Sequence, residues 1–438
     1  MIVLRSFTNI FKITELRRKI FFTLGVLIVS RLGTYVPVIG VNVPMLSQYM
    51  QQAAGLGGLL NYLDTFSGGA LSKCTLFALG IGPYITASIM MQLLGMTIPY
   101  LEQLLKEGDY GRKIINQYTR YLTLGLSLFY SFLYAMALEK QGLVLDPGWA
   151  FRFVFMISLT AGALFVMWLG EQISLHGIGN GSSMIIFSGI VARFPDHVIK
   201  TVYYIEQGYL DALVGVLILV GFVGITACIV YLERGERKIP VQYARRVVGN
   251  KVYAGQSSYI PFKINTVGVM PVIFASSLLS LPIQVSTMLA ERYPSLRFVV
   301  EAMGPQGVLF NVFEFLLIIF FSYAYTAMIF NPEELAQNMK KSGGFIPGIR
   351  PGKKTAEFFD YILNRIGFVG AIYLGLLAVL PNLVTTHLGI PFYLGGTSIL
   401  IAVGVALETS AQMETYLIER RYDGFLATGR VKSSGGVR

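Results

Sequence analysis

Histidine and cysteine, the side chains that most often supply metal ligands and nucleophiles, are few and scattered in this sequence. The three histidines are His176, His197 and His387, and none of them has the spacing of a His-Glu-x-x-His zinc motif. Cys74 and Cys228 both lie in apolar stretches, where a cysteine usually acts as a small core residue. These residues predict no metal site and no cofactor.

Motifs for nucleophilic or nucleotide chemistry do not occur in the sequence either. It contains no Gly-x-Ser-x-Gly nucleophile elbow. The glycine-rich run at 177–181 follows no predicted strand, so a tight turn before a helix explains it better than a dinucleotide loop does. We therefore expect no catalytic residues and a function other than catalysis.

The composition is that of a helical membrane protein. Of the 438 residues, 54% are hydrophobic and 13% are charged, whereas soluble proteins carry about 25% charged residues. The charges separate long apolar runs, as expected for helices that cross a hydrocarbon core about 30 Å thick. Continuous apolar runs also argue against a membrane β-barrel, whose strands alternate between apolar and polar residues.

The apolar runs predict ten membrane spans and an all-α polytopic fold. The predicted spans are residues 20–38, 75–95, 114–138, 150–171, 182–204, 210–232, 264–287, 307–330, 366–384 and 392–411. They divide into an N-terminal half, 20–204, and a C-terminal half, 205–411, whose first spans enter from opposite sides of the membrane. This parity permits two inverted five-helix halves around a central pore, although no sequence repeat is visible.

Lysine and arginine are concentrated on one side of the predicted spans. That side holds 26 of the 35 basic residues, in the segments 1–19, 96–113, 233–263, 331–365 and 412–438. The positive-inside rule therefore places both termini and the two long loops, 233–263 and 331–365, in the cytoplasm. The net charge of +11 also favours contact with anionic lipids or with an acidic partner.

Charged residues within the spans leave a second function open. Arg31, Arg120, Glu314 and Glu408 lie in predicted spans. Such residues usually mark ion or substrate pathways, so an ion-coupled secondary transporter with inverted repeats fits this pattern. The length of the two basic loops argues against a carrier, because alternating access does not need loops of this size.

Six segments carry a resemblance to a known family, and they occur in that family's order and with its spacing. They are residues 66–72, 77–88, 177–181, 267–276, 331–352 and 391–398. With the ten spans, they resemble the SecY family, the pore-forming subunit of the bacterial Sec protein translocase. The resemblance implies an hourglass channel of two five-helix halves with a lateral gate toward lipid.

The resemblance also implies what such a channel does and which partners it has. It moves unfolded secretory polypeptides, or preproteins, across the bacterial cytoplasmic (inner) membrane, and it releases transmembrane segments sideways into lipid. It recognises signal sequences and has no catalytic chemistry of its own. SecE and SecG are the implied membrane subunits, and the motor ATPase SecA or the ribosome supplies the driving force.

Five isoleucines are candidates for the constriction of the pore. Ile81 and Ile85 are four residues apart and share one helix face, although an isoleucine in a span faces lipid or core by default. The resemblance assigns both, with Ile186, Ile273 and Ile401, to a pore ring. A ring of aliphatic side chains blocks ions by dewetting, and it contacts any passing chain without reading its sequence.

Residues 55–70 are interrupted by glycine pairs and are too polar to face lipid. Composition leaves two structures open, a short helix that re-enters a cavity and a helix on the outer surface. The resemblance aligns the segment with the plug that closes the resting pore. The implied plug residues are Leu59, Leu60, Tyr62, Leu63, Phe66, Ser67, Gly68 and Gly69.

Polar residues in three spans are candidates for the lateral gate. Gln92, Thr123 and Asn265 lie in spans two, three and seven, where such residues usually bond a neighbouring backbone group. The resemblance places the gate between spans two and three on one side and seven and eight on the other, which favours a polar seam there. Each interhelical bond contributes about 0.6 kcal/mol, so such a seam can open.

The two long basic loops are candidate docking sites. Holding the loops in the cytoplasm explains their charge but not their length. The resemblance implies that both loops bind SecA and the ribosome. The implied docking residues are Arg237, Lys238, Arg245, Arg246, Lys340, Lys341, Arg350 and Lys353. Arg350 is the first candidate, since a guanidinium group makes bidentate contacts with carboxylate or phosphate.

Overall fold

The structure is a computed structural model that describes residues 13–52, 64–209, 211–243, 246–248, 251–253, 257–292, 302, 304, 307–387 and 395–428. Its helices, numbered in chain order, are α1 Thr14–Leu32, α2 Val43–Gln52, α3 Gly82–Thr97, α4 Pro99–Lys106, α5 Asp109–Lys140, α6 Trp149–His176, α7 Gly181–Glu206, α8 Ala212–Arg234, α9 Met270–Arg292, α10 Val308–Ile329, α11 Pro332–Lys341, α12 Lys353–His387 and α13 Gly396–Thr428. A short 3-10 helix, Gly33–Tyr35, follows α1. Each of the ten predicted spans contains one long helix, so the predicted all-α polytopic fold is confirmed.

Length and apolar composition identify the clearest membrane-crossing helices among the described residues. Five helical segments qualify, and they are Asp109–Lys140, Trp149–His176, Ala212–Arg234, Val308–Lys341 and Lys353–Val384. The pair α3 and α4 qualifies as a sixth only if it counts as one span, and it is bent by 101° at its break. In α9, the apolar part is shorter and covers Met270–Ser280. The helices α1 and α7 carry charged residues in their length, which dilutes the apolar signal.

Two predicted spans begin later than their hydropathy suggests. Residues 75–81 form turns, and α3 begins only at Gly82, with Pro83 in its first turn. Proline suits that position because its fixed φ is helical and its missing N–H would have no helical partner. The seventh span starts as helix α9 at Met270 instead of residue 264. Hydropathy does not register such breaks, since the residues before them are also apolar.

The helices pack in two groups that meet along two seams. Within residues 14–206, α6 contacts α1, α5 and α7, and α3 contacts α5. Within residues 212–428, α10 contacts α9 and α12, and α13 contacts α8 and α12. The main contacts between the groups join α9 to α3 and α5 on one side, and α7 to α8 and α13 on the other. A path between the two groups is therefore bounded by the contacts of α9 on one side and by those of α7 on the other.

The two long basic loops, which we expected to be irregular, contain a small antiparallel sheet. Its strands are β1 Glu236–Tyr243, β4 Ser257–Lys263 and β5 Gly344–Phe345, and a separate hairpin consists of β2 Arg246–Val248 and β3 Lys251–Tyr253. Gln242 of β1 pairs with Phe345 of β5, so the sheet joins both loops. One buried face of the sheet packs on the first turns of α12, where Phe262 contacts Phe359. The loops therefore form one platform.

Helix α11 was also predicted as loop. Asn331 caps its N-terminus, because the side-chain oxygen accepts hydrogen bonds from the N–H groups of Glu333 and Glu334, at 3.2 and 3.3 Å. Pro332 occupies the first turn, and Lys340 lies in the last turn. Acidic residues near the N-terminus and basic residues near the C-terminus match the helix dipole. The polar composition of this segment favoured a loop, although the residues at both of its ends are typical of helix termini.

A tight crossing connects the sheet to α9. Strand β4 ends at Lys263, and Ile264 lies between two glycines. A Cβ atom built on Gly235 would lie 2.5 Å from Ile264 Cδ1, and one built on Gly370 would lie 2.6 Å from the Ile264 carbonyl oxygen. Glycine at 370 is therefore required by the backbone of Ile264, whereas at Gly235 the nearest atom is the end of the Ile264 side chain.

The contact between α6 and the turns before α3 predicts a stability difference between two glycines. A Cβ on Gly162 of α6 would lie 2.0 Å from the Leu76 carbonyl oxygen, whereas a Cβ on Gly125 of α5 has no atom within 4 Å. Gly162→Ala should lower stability by about 1–3 kcal/mol through overpacking. Gly125→Ala should leave stability unchanged or raise it by about 0.5–1 kcal/mol, because alanine is the better helix former.

Thermal unfolding of the two purified variants in detergent measures this difference. We expect the midpoint of Gly162→Ala to fall below that of the wild type and the midpoint of Gly125→Ala not to fall. Equal midpoints for the two variants would contradict the contact.

Candidate functional site

The five predicted ring isoleucines lie in one buried cluster. The exposed fractions of Ile81, Ile85, Ile186, Ile273 and Ile401 are 4%, 6%, 2%, 3% and 0%. All five belong to the same hydrophobic core cluster, although they come from α7, α9, α13 and the start of α3. The structure therefore brings together all of the residues assigned to the ring.

The start of each helix sets where its isoleucine lies. Ile81 directly precedes α3 and Ile85 is in its first turn, while Ile273 is in the first turn of α9. Ile186 and Ile401 both lie in the second turn of their helices, α7 and α13. The N-terminal cap of α7 is Asn180, whose side-chain oxygen accepts hydrogen bonds from the Ser182 N–H and hydroxyl. The predicted ring residues thus lie at the beginnings of helices from both groups, within the first two turns or directly before them.

A cavity of about 100 Å³ lies beside the ring. Ile81, Ile85, Ile186 and Ile273 line it, and Ile401 belongs to the cluster without lining this cavity. The cavity wall at this point is aliphatic and carries no charged side chain. Such a wall can exclude water and ions when it is closed, and it offers no group that would select one solute.

Part of the predicted plug segment borders the same cavity. Phe66 and Ser67 line it next to the ring isoleucines. The Phe66 side chain packs against the ring cluster and also against a second cluster formed by Leu279, Ile283 and Phe310. Gly68 and Gly69 follow in turns with positive φ. The other predicted plug residues, Leu59, Leu60, Tyr62 and Leu63, lie outside the described residues.

The three predicted gate residues do not bond to one another. Gln92 donates a hydrogen bond to Ser88 Oγ at 3.1 Å within α3, and the buried Thr123 donates to the Thr119 carbonyl at 2.7 Å within α5. Asn265 lies in the turns before α9, so it is not within the helix as predicted. Its side-chain amide donates to Glu233 Oε1 at 2.5 Å and to the Gly268 carbonyl at 3.0 Å.

A different set of hydroxyl groups lies where α3, α5 and α9 meet. Thr86 of α3, Tyr130 of α5 and Ser276, Ser277 and Ser280 of α9 line the same cavity as the ring isoleucines. Tyr130 is 4% exposed, so its hydroxyl is buried in this wall. Sequence reasoning missed these residues. The available signal was the spacing of the three serines, which puts Ser276 and Ser280 one turn apart on an otherwise apolar helix.

Six of the docking candidates lie on the exposed surface of the platform. Arg237 and Lys238 are on β1, Lys340 and Lys341 end α11, and Arg350 lies between β5 and α12. The backbone at Arg350 is fixed, because its carbonyl accepts a hydrogen bond from the Thr355 hydroxyl at 3.0 Å. Lys353 begins α12 and is exposed. Arg246 is in β2, and Arg245 lies outside the described residues.

One of these cations already has a local partner. Lys238 Nζ lies 3.2 Å from Glu236 Oε1 and 4.9 Å from the centre of the Tyr259 ring. The side-chain hydrogen bond to Glu236 raises the pKa of Lys238 above its usual value. No ion pair is seen for Arg350 among the described residues, which leaves its guanidinium group for an external partner.

Known proteins similar to this chain belong to one family. The SecY family model matches residues 75–410. The chain is 45% identical over 443 residues to the protein translocase subunit SecY of Streptomyces coelicolor, covering 97% of this chain and 100% of the relative. It is 42% identical over 427 residues to the protein of that name from Escherichia coli K12, covering 96% of both chains.

Solved structures agree in fold. A structure described as a protein conducting channel matches with a TM-score of 0.65 at 19% identity, covering 95% of both chains. Sec61 in a canine ribosome-channel complex matches with a TM-score of 0.59 at 18% identity, again over 95% of both chains. At these identities the likeness concerns the fold alone. The family model and the relatives above 40% identity nevertheless cover most of the sequence, and the chain belongs to the SecY family.

Proposed function

We propose that this chain is the pore-forming subunit of a bacterial Sec protein translocase. It moves unfolded secretory polypeptides across the cytoplasmic membrane and releases transmembrane segments laterally into lipid. The observation that carries this function is the buried cluster of five isoleucines contributed by both helix groups. Residues 20–204 and 205–411 act as two inverted halves, and the path between them is the pore.

The chemistry of the ring suits a substrate of variable sequence. An extended polypeptide presents every kind of side chain in turn, so specific polar contacts at the constriction would halt some of them. Aliphatic side chains make only dispersion and steric contacts, which differ little from one residue to the next. The same side chains close on themselves when no chain is present, and a dry constriction blocks ions. The pore itself therefore needs no catalytic residue or cofactor.

The rival function, an ion-coupled carrier, requires the charged residues of the spans to meet at one site. The structure separates them. Arg120 makes two hydrogen bonds with Glu171, at 2.8 and 2.7 Å, between α5 and α6. Glu314 accepts a hydrogen bond at 3.5 Å from Asn382 of α12, whereas Glu408 is exposed on α13. Charges that lie in separate places do not form the shared midplane site of such carriers.

The lateral gate follows from the seam between α9 and the pair α3 and α5. An apolar signal sequence or transmembrane segment leaves the pore between these helices. Gln92, Thr123 and Asn265 flank this exit, and the hydroxyl groups of Thr86 and Tyr130 lie in its wall. The hydroxyl groups resist contact with an apolar segment, and the gate opens when a sufficiently apolar segment compensates for that cost.

The partners follow from the platform and from the apolar outer surface. SecA and the ribosome bind the basic residues of the platform and supply the driving force, and both chain termini lie on the same cytoplasmic side. Sec61, a relative in fold, is known in a ribosome-channel complex, which supports a ribosome contact. SecE and SecG bind the exposed apolar helix faces. Anionic lipids surround the basic cytoplasmic rim.

Crosslinking of a stalled polypeptide tests the pore directly. A photoreactive residue is placed singly at Ile81, Ile85, Ile186, Ile273 or Ile401, and a secretory chain is stalled during translocation. We expect crosslinks from all five positions, because every translocating segment must pass the ring. The control position is Ile157 of α6, which is 52% exposed on the outer surface. Crosslinks from Ile157 as strong as those from the ring would refute this path.

Removing one hydroxyl from the gate wall should relax signal recognition. In Tyr130→Phe, the buried ring is kept and the buried hydroxyl is lost, so an apolar segment meets a less polar wall. Export of a substrate with a weakly hydrophobic signal should rise by about fivefold, since a buried hydroxyl costs roughly 1 kcal/mol against apolar surface. Export is measured by signal cleavage after a radioactive pulse.

The matched control for the gate is Tyr121→Phe on the same helix, because Tyr121 is 63% exposed. It should export weak and strong signals as the wild type does. If Tyr130→Phe also left the weak signal unchanged, the hydroxyl wall would have no part in signal recognition.

Reversing the charge at Arg350 tests the docking surface. Arg350→Glu should reduce SecA-stimulated translocation into membrane vesicles by at least about tenfold, as expected when a charged docking contact is reversed. The channel should still assemble, because the Thr355 hydroxyl bonds the backbone of residue 350 and not its side chain. The control is Lys106→Glu, which reverses an exposed lysine on α4. Equal translocation by both variants would remove Arg350 from the docking surface.

A further inference from the structure

The segment that borders the ring is tied to the helices behind it by two arginines. We call residues 64–72 the plug base. Arg31 of α1 donates hydrogen bonds from Nε and Nη2 to Ser188 Oγ of α7, at 3.2 and 3.1 Å, and from Nη1 to the Gly68 carbonyl at 3.4 Å. Its side chain therefore lies between the plug base and α7.

The second arginine pairs with a buried carboxylate. Asp64 has no exposed surface, and its Oδ2 lies 2.8 Å from Nη2 of Arg193 on α7. Its Oδ1 accepts hydrogen bonds from the N–H groups of Leu71 and Ser72, at 2.9 and 3.0 Å, and from the Ser67 hydroxyl at 3.1 Å. The same carboxylate thus folds the plug base and attaches it to α7.

Two glycines of the plug base lie against the two guanidinium groups, and the closer approach is that of Arg31 to Gly68. Gly68 and Gly69 have φ values of +66° and +92°, which favour glycine. A Cβ on Gly68 would lie 2.1 Å from Arg31 Nη1, and a Cβ on Gly69 would lie 3.6 Å from Arg193 Nε. The glycine pair that interrupts the segment in the sequence is therefore also where both arginines meet its backbone.

The ring and the arginine contacts share helix α7. Ile186, Gly189 and Arg193 follow each other at spacings of three and four residues, so they lie on one face. A Cβ on Gly189 would be 3.0 Å from the Phe66 carbonyl oxygen, which places the plug base directly against this face. Arg193 is about 10 Å along the helix from Ile186, given a rise of 1.5 Å per residue.

We infer that Arg31 and Arg193 form a clasp that holds the plug base on α7 and thereby sets how often the resting pore opens. This inference rests on the proposed channel function. The clasp is suited to release as well as to closure. Taking a paired carboxylate and guanidinium out of water costs much of what their attraction returns. When the plug base leaves α7 toward the aqueous side, both charges are hydrated again, so the clasp yields without leaving a buried charge.

Ion conductance of the resting channel in planar bilayers tests the clasp. Arg193→Gln removes one charge and leaves the bonds of Asp64 within the plug base in place. Asp64→Asn keeps the oxygen that accepts from Leu71 and Ser72, but not the negative charge. Each variant should raise the open fraction by at least about tenfold, because removing one partner of a buried pair leaves the other uncompensated. The double variant should raise the open fraction no more than the more effective of the two single variants does, as expected for a coupled pair.

The matched control is Arg152→Gln. Arg152 lies 2.5 Å from Glu139 in an ion pair between the end of α5 and the start of α6, away from the plug base. The Arg152→Gln variant should leave the conductance of the resting channel unchanged. Arg193→Lys, which keeps the positive charge, should restore most of the closed behaviour. If Arg193→Gln conducts like Arg152→Gln, or if the effects of Arg193→Gln and Asp64→Asn simply add, the clasp is refuted.

A second measurement separates loss of the clasp from loss of the fold. Ser67→Cys is introduced in a background in which Cys74 and Cys228 are replaced by serine, and labelling with a membrane-impermeant maleimide is followed in vesicles. Labelling should be faster with Arg193→Gln than with the native arginine, while the amount of intact protein stays the same. Unchanged labelling would contradict the clasp. Translocation of a secretory polypeptide by the unaltered channel tests the proposed function separately.

Discussion

The contact among aliphatic side chains at the proposed ring is the constraint on which the rest of the structure depends. Such a contact has no direction of its own, so its geometry must come from the backbones that carry the side chains. Ile81 and Ile85 belong to one helix group, and Ile273 and Ile401 belong to the other. The contact among these side chains therefore persists only while the two seams between the groups stay closed. On the proposed channel function, the seam of α9 with α3 and α5 and that of α7 with α8 and α13 are the parts that permit or prevent opening.

The two seams differ in chemistry. At the α9 seam the wall carries hydroxyl groups, and those of Ser276 and Ser280 bond carbonyls of their own helix. At the α7 seam, the turn before α7 is held from several sides. Thr23 accepts a hydrogen bond from the Ile178 N–H, and Gln412 of α13 accepts one from the Gly179 N–H. The turn before α7 is therefore fastened to α13 by a hydrogen bond between the two groups, whereas Ser276 and Ser280 donate to carbonyls within α9.

Much of the fold could be predicted from the sequence, because long apolar runs have one stable structure in a membrane. Helix beginnings were less predictable, as α3 shows, since the turns at 75–81 are as apolar as the helix. The platform was missed for another reason. The pairing of Gln242 with Phe345 joins residues about a hundred positions apart, and no local pattern specifies such a pair. Helix α11 was missed although Asn331 and Pro332 carried the signal.

The candidate functional site was also only partly predictable from the sequence. The ring isoleucines could be assigned only through resemblance to a family, because an isoleucine in a span looks the same whether it faces lipid, core or pore. The clasp was not visible from the sequence at all. The sequence showed Arg31 only as a charge within a predicted span, and no pattern connected it with Arg193 or Asp64. Their meeting depends on α1 and α7 lying side by side, which is a property of the packed helices.

The close fit of Ile264 between Gly235 and Gly370 has a mechanical consequence. The platform ends at Lys263 and α9 begins at Met270, so residues 264–269 alone connect the sheet to the helix. The start of this connection is held by packing, because a Cβ on Gly370 would lie 2.6 Å from the Ile264 carbonyl oxygen. On the proposed function, a partner that moves the sheet would therefore act close to the first turn of α9, which carries Ile273.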